Sequence, residues 1–276
     1  MKLFFLVERE IKENKMNFKI PLIIGILSIL FNFTANWKNQ DFIYESNSTN
    51  LFISNHIISG ISSNFAFDLS GVLFLFLFIT YISCTLPKER KNGSYMFWRS
   101  MPVSNSMHLI SKLAYSLIVL PFYCLLLFLS LELSILIKYT FAHWGNIVFQ
   151  EILSFFIFNL LNFLKNIFFT SIVLFPLASL FLVVSQITKR PIVIVIIASF
   201  FIFLFSSLFI HGILYEYLLH NYFSLSFKVI TSEHPYQEIT NFGLNRMIGL
   251  LFIGFGLFLY ASKLYGKESL SRRFSI

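Results

Sequence analysis

Long uninterrupted apolar runs constrain this chain more than any other feature. Residues 168–187 and 191–213 are almost wholly hydrophobic and carry no Asp, Glu, Lys or Arg. About twenty apolar residues in helical conformation cross the hydrocarbon core of a bilayer. Only helices and closed barrels satisfy their backbone groups there, and the runs lack the apolar–polar alternation of barrel strands. The fold class expected is therefore all-α and membrane-integral. Composition agrees: 57% of the 276 residues are hydrophobic and 12% are charged, about half the charged share of a soluble domain.

Six spans are expected, at about 18–37, 66–86, 109–137, 168–187, 191–213 and 244–263, within one transmembrane domain over 1–276. Residues 1–17 combine Phe4, Val7, Ile11 and, just beyond, Phe18 at helical spacing with a dense charged set. That pattern predicts a helix lying in the membrane interface. Residues 147–187 are too many for one crossing at 1.5 Å each. The polar stripe Glu151, Ser154, Asn159, Asn162 and Lys165 or Asn166 predicts an amphipathic helix before the fourth span. Residues 214–243 read as an outer segment. Cys84 and Cys124 fall inside apolar runs without metal spacing, as buried thiols do.

Orientation follows from the basic residues, which collect in cytoplasmic loops. Lys2, Arg9, Lys12, Lys15 and Lys19 precede the first span. Lys88, Arg90, Lys91, Arg99 and Lys112 lie between the second and third. Lys189 and Arg190 separate the fourth and fifth, and Lys263, Lys267, Arg272 and Arg273 end the chain. Both termini are thus expected in the cytoplasm. The net charge of +8 is explained by topology and anionic lipid, so no nucleic-acid partner is expected. The Lys-, Asn-, Ile- and Phe-rich composition points to an AT-rich bacterial genome, hence a bacterial cytoplasmic membrane.

No phosphate-binding GxxxxGK[ST] and no HExxH is present, so catalysis within this chain is not expected, nor is a bound cofactor or metal. Glu132 is the clearest ionisable residue inside a span. It either pairs locally with Lys138 or at the interface, or lies on a substrate path. The stretch 87–108 carries the strongest signal. Ser94 can cap a helix that Pro102 ends. Phe97, Trp98 and Met101 share an apolar face flanked by Arg90, Lys91 and Arg99. Such an element either docks a soluble partner or lies on lipid headgroups. Ser104, Asn105 and Ser106 then offer caps for the third span.

Lys88–Lys112 resembles the inner loop of ABC-type export permeases, the ABC type-2 transporter membrane-subunit family. Glu89, Arg90, Ser94, Phe97, Trp98, Arg99, Ser100, Pro102, Val103, Ser104 and Lys112 fit that pattern. Arg9-Glu10 followed by a basic segment and Pro21 is similar to the family's entry helix. The resemblance implies a permease subunit that pairs with a second copy or a paralogue. Separate nucleotide-binding ATPase subunits would hold ATP and Mg. It makes 87–108 a coupling region, with Glu89, Arg90, Ser94, Phe97, Trp98, Arg99, Met101 and Pro102 meeting the ATPase. An ATP-independent channel or secondary transporter, and a membrane anchor or assembly protein, are the other classes that fit the hydropathy.

Overall fold

The computed structural model describes residues 2–34, 62–93, 103–142, 149–209, 221–232 and 234–266, all of them helical or in short turns. The helices are α1 (Lys2–Glu13), α2 (Lys15–Thr34) and α3 (Ser62–Lys91). Next, Asn105–Ala114, Tyr115–Val119 and Leu120–Ala142 run on as one rod, α4. Then come α5 (Phe149–Ile187), α6 (Pro191–Phe209), α7 (Asn221–Thr231), α8 (Pro235–Phe242) and α9 (Leu244–Gly266). Four stretches are long and apolar enough to cross a membrane: Phe65–Lys91, Asn105–Ile137, Phe156–Ile187 and Leu244–Gly266. The chain is a multi-pass membrane protein.

Neighbouring rods are held by specific contacts that also give their directions. α2 runs parallel to α4: Phe18 packs on Tyr123, and a Cβ on Gly25 would meet Ser130 Oγ at 3.1 Å. α3 is antiparallel to α4, with Tyr81 against Tyr115 and Phe67 against Phe128. α5 is antiparallel to α4 through Phe163 on Phe128. α9 is parallel to α5, and a Cβ on Gly254 would come within 2.8 Å of the Pro176 backbone, a distance only glycine allows. Further along, Gln186 Nε2 donates to Ala261 O at 2.9 Å. The ends Lys91, Ile187 and Gly266 and the start of α4 therefore gather at one end of the bundle, together with α1. We call this the charged end. The main core surrounds Phe74, Phe78, Tyr115, Leu174 and Phe181, and a smaller one toward the opposite end holds Ala66, Leu127, Phe128, Leu131 and Phe163.

The structure departs from the sequence expectations at several places. α5 is one continuous helix, not an amphipathic helix followed by a span. Part of its polar stripe faces inward: Asn159 and Asn166 are buried and Asn162 and Lys165 half-buried, while Ser154 is exposed, as are Ile157, Phe158, Leu161 and Leu164. In hydrocarbon the apolar face belongs outside, so a polar stripe marks the packed side of a helix and not its wet side. α3 continues through Pro87 to Lys91, which puts Glu89 and Arg90 on a helix and not in a loop. The α7 part of the expected outer segment is sunk into the bundle. Tyr222 OH donates to Val173 O at 2.5 Å, and Asn166 Nδ2 donates to Ile230 O and Ser232 O at 3.2 and 2.7 Å. On α1 the side packed inward is Leu6 and Glu10, while Phe4 and Phe5 are exposed. Cys124 is buried but Cys84 is exposed. The cap expected at Ser104 is present, its Oγ accepting from Met107 N at 3.3 Å.

α4 is interrupted by chemistry specific to proline. Pro121 has no N–H to give to Leu117 O, one turn back. The rod passes through a short π-helical stretch, where Leu120 N–H reaches Tyr115 O five residues earlier. Leu117 O is satisfied from across the interface by Ser171 Oγ at 3.1 Å.

Candidate functional site

The charged end holds a buried ionic cluster assembled from three helices. α3 contributes Tyr81, Thr85 and Glu89, spaced by four and so on one face. α4 contributes His108 and Lys112, also spaced by four. α1 contributes Arg9 and Glu10, and Asn14 follows it in the turn to α2. Lys112 is 0% exposed and Glu10 1%. The Lys112 ammonium has three protons and three acceptors: Glu89 Oε1 at 2.7 Å, Glu10 Oε1 at 2.9 Å and Thr85 Oγ1 at 3.0 Å. Glu10 Oε2 accepts from Tyr81 OH at 2.8 Å and from Asn14 Nδ2 at 3.3 Å. Glu89 Oε1 also accepts from Arg9 at 3.2 Å, and its Oε2 lies 3.2 Å from His108 Nε2. Arg9 is steadied on its own helix by Glu13 at 2.6 Å.

The pairing is crosswise. Glu89 and Lys112 already form an ion pair between α3 and α4. The adjacent residues Arg9 and Glu10 bring one charge of each sign to that pair, cation to Glu89 and anion to Lys112. The docking of α1 therefore adds no net charge to a buried site. Taking such charges out of water costs several kcal/mol per ion, and close opposite charges with saturated hydrogen bonds offset that cost. What the arrangement secures is register: α1, α3 and α4 fit together in one alignment that satisfies every donor of Lys112. The rim draws in further helices. His108 stacks on Tyr265 of α9 with centroids 5.2 Å apart, and Asn17 of α2 donates to Tyr115 OH at 3.5 Å.

Of the residues expected to meet an ATPase, Glu89 is buried in this cluster and Arg90 is half-buried at the end of α3. Ser94, Phe97, Trp98, Arg99, Met101 and Pro102 lie outside the described residues. The structure thus brings together the two flanks of that stretch, Glu89 before it and Lys112 after it. Arg9, Glu10 and Lys112 enter the sequence argument only through the family pattern and the charge count, and His108, Tyr81 and Thr85 have no site role in it. The signal that could have found them is the four-residue step of polar groups on the two helices flanking 94–102.

Glu132 lies elsewhere on α4. It is 1% exposed and accepts from Asn159 Nδ2 of α5 at 3.3 Å. That pairing is between helices; the Lys138 side chain, the local partner the sequence allows, lies outside the described residues. One turn below, Phe128 and Phe163 stack with centroids 4.3 Å apart, so the polar pair rests on an aromatic layer. Among the described residues no group of three His, Cys, Asp or Glu side chains is placed to hold a metal ion. Neither a family model, a curated relative nor a solved structure matches the chain.

Proposed function

We propose that the chain is the membrane-spanning permease subunit of an ATP-binding cassette exporter in a bacterial cytoplasmic membrane. Separate nucleotide-binding subunits, carrying ATP and Mg, drive it, and a second permease copy or a paralogue completes the pathway. In this reading six helices span the bilayer, both termini are cytoplasmic, α1 lies in the interface, and residues 94–102 hold the coupling helix. The alternating directions of the helices support the six-span count. α2, parallel to α4 and so opposed to α3, fits the up-and-down order of the four longer ones.

One observation carries the reading. The flanks of the Phe-Trp stretch are tied to each other and to α1 by the Glu89–Lys112–Glu10 network, at 2.7 and 2.9 Å. A soluble ATPase pressing on residues 94–102 would move three helices as a unit, because displacing one alone would separate buried charges. Coupling needs such a stiff linkage, whereas a loop resting on lipid has no use for one.

The test is co-purification. Trp98→Ala combined with Arg99→Ala is expected to abolish capture of the ATPase subunits while membrane insertion is unchanged. If the double variant retained its ATPase at full yield and transported normally, the coupling assignment would fall. A channel, secondary transporter or anchor would then become the better reading. A cysteine at Ser94 is expected to react with an impermeant thiol reagent from the cytoplasmic side only.

A further inference from the structure

We infer that the groove between α4 and α5 is a binding site for one hydrocarbon chain of a bilayer lipid, held by the protein and not merely passing over it. The groove encloses about 680 Å³, within the range of sites built for small ligands. One wall runs from Leu117 to Leu125 on α4, the other from Leu164 to Phe175 on α5, and Leu251 of α9 closes it. This inference needs only the multi-pass fold and does not depend on the exporter reading.

The groove lies where α4 departs from α-helical regularity. Pro121 and the π-helical stretch before it displace the α4 wall, and π-bulges recur at functional sites. Pro176 lies just beyond the α5 wall, where Gly254 lets the α9 backbone close in. The hydrogen bond from Ser171 to Leu117 O pins the two walls together at the floor. That bond also uses the proton of Ser171, the one polar side chain lining the groove among the described residues. The rest of the lining offers a ligand only apolar contact.

Both walls lie within stretches that cross the membrane, so what reaches the mouth is hydrocarbon. The α5 wall spans eleven residue steps, about 17 Å of helix at 1.5 Å per residue. Spread over that length, the 680 Å³ leaves a trough wide enough along its whole run for an extended alkyl chain lying parallel to the helices. A chain in the groove touches protein on three sides, where one on a flat helix face touches it on one. The exposed face of α6, with Ile196, Ile197 and Phe200, supplies that flat comparison within the same molecule.

The experiment reconstitutes the full chain in phosphatidylcholine vesicles. A fraction of the lipid carries a photoactivatable diazirine on the sn-2 palmitoyl chain, and adducts are mapped by mass spectrometry. Labelling of Phe122, Leu125 and Ile172 is expected to exceed that of Ile196, Ile197 and Phe200 several-fold, and the excess to survive washing into detergent before illumination. Ile172→Trp, which fills the groove, is expected to bring labelling of Phe122 down to the α6 level while leaving α6 unchanged. Leu125→Phe serves if that variant does not fold. Equal labelling of both faces would mean annular lipid only and would overturn the proposal. So would protection of the groove together with disulfide-linked dimers of an Ile118→Cys variant, which would put a second copy there.

Discussion

Among the described residues α4 carries a buried ionisable side chain near each end, and the two sites are built on opposite principles. Lys112 and Glu132 are twenty residues apart on α4, about 30 Å along its axis, close to the thickness of the hydrocarbon core. Around Lys112, charges of both signs come from three helices and every donor of the ammonium is used. Around Glu132 the described partner is a single neutral amide at 3.3 Å, resting on packed phenylalanines. The first site fixes how helices are aligned, because a shift of one turn would separate ions in a low-dielectric medium. The second joins α4 to α5 by a bond that could be lost without stranding a counter-charge. Charge pairing has been concentrated where α1 must dock and the loop-bearing helices begin and end.

The largest expected effect is at Lys112. Lys112→Met leaves Glu10 and Glu89 facing each other without their shared cation. Breaking a buried network from one side costs about 3–5 kcal/mol, measurable as loss of stability in detergent unfolded by SDS or heat. The quadruple variant Arg9→Met, Glu10→Met, Glu89→Leu, Lys112→Met removes all four paired charges and is expected to recover most of that loss. Recovery would show that the cluster secures alignment more than stability. If Lys112→Met cost no more than changes at Glu132, the contrast between the two sites would collapse.

How much of this is legible in one dimension differs between the two sites. The membrane class and the rough positions of four of the six expected spans follow from hydropathy, since twenty apolar residues allow few alternatives. Ser104 as a cap is legible for the same local reason. The ion cluster is not, because Glu10 and Lys112 are separated by 102 residues and each alone resembles an ordinary interfacial charge. The polar stripe on α5 was visible, but its direction could not be inferred from periodicity. A 3.6-residue period places Asn159 and Asn166 on one face without telling whether water or another helix covers it. Their partners, Glu132 and the carbonyls of α7, come from remote segments. Proline acted at a distance too: Pro121 and Pro176 were locally tolerated, and only the packing reveals Ser171 and Gly254 as their complements.

A smaller effect separates charge from hydrogen bonding within the cluster. Tyr81→Phe keeps the ring against Tyr115, at 4.4 Å between centroids, and deletes the donor to Glu10. A hydrogen bond to an ionised group is worth about 1.5–3 kcal/mol. The expected loss lies between that of Lys112→Met and anything at Glu132. A second readout follows from the position of Glu10 on α1. Proteolytic cleavage after Lys12 or Lys15 should accelerate in Tyr81→Phe, because α1 is held less firmly, while cleavage elsewhere stays unchanged. Equal acceleration throughout the chain would indicate general loosening and remove the specific link to α1.

The smallest effect is expected at Glu132→Gln, and its smallness is the informative result. Glutamine keeps the shape and an acceptor oxygen for Asn159, and interhelical hydrogen bonds in membrane proteins average about 0.6 kcal/mol. Stability should therefore change by less than about 1 kcal/mol, and Asn159→Leu should cost a similar amount. Because Glu132→Gln keeps that bond and Asn159→Leu removes it, the double variant should cost about as much as Asn159→Leu alone. Transport activity then decides what Glu132 is for. If stability is unchanged and transport is lost, a carboxyl is required on a cargo path despite its burial. If both are unchanged, Glu132 is a helix-pairing residue, and the buried charges left to serve the mechanism among the described residues are those at the docking site of α1.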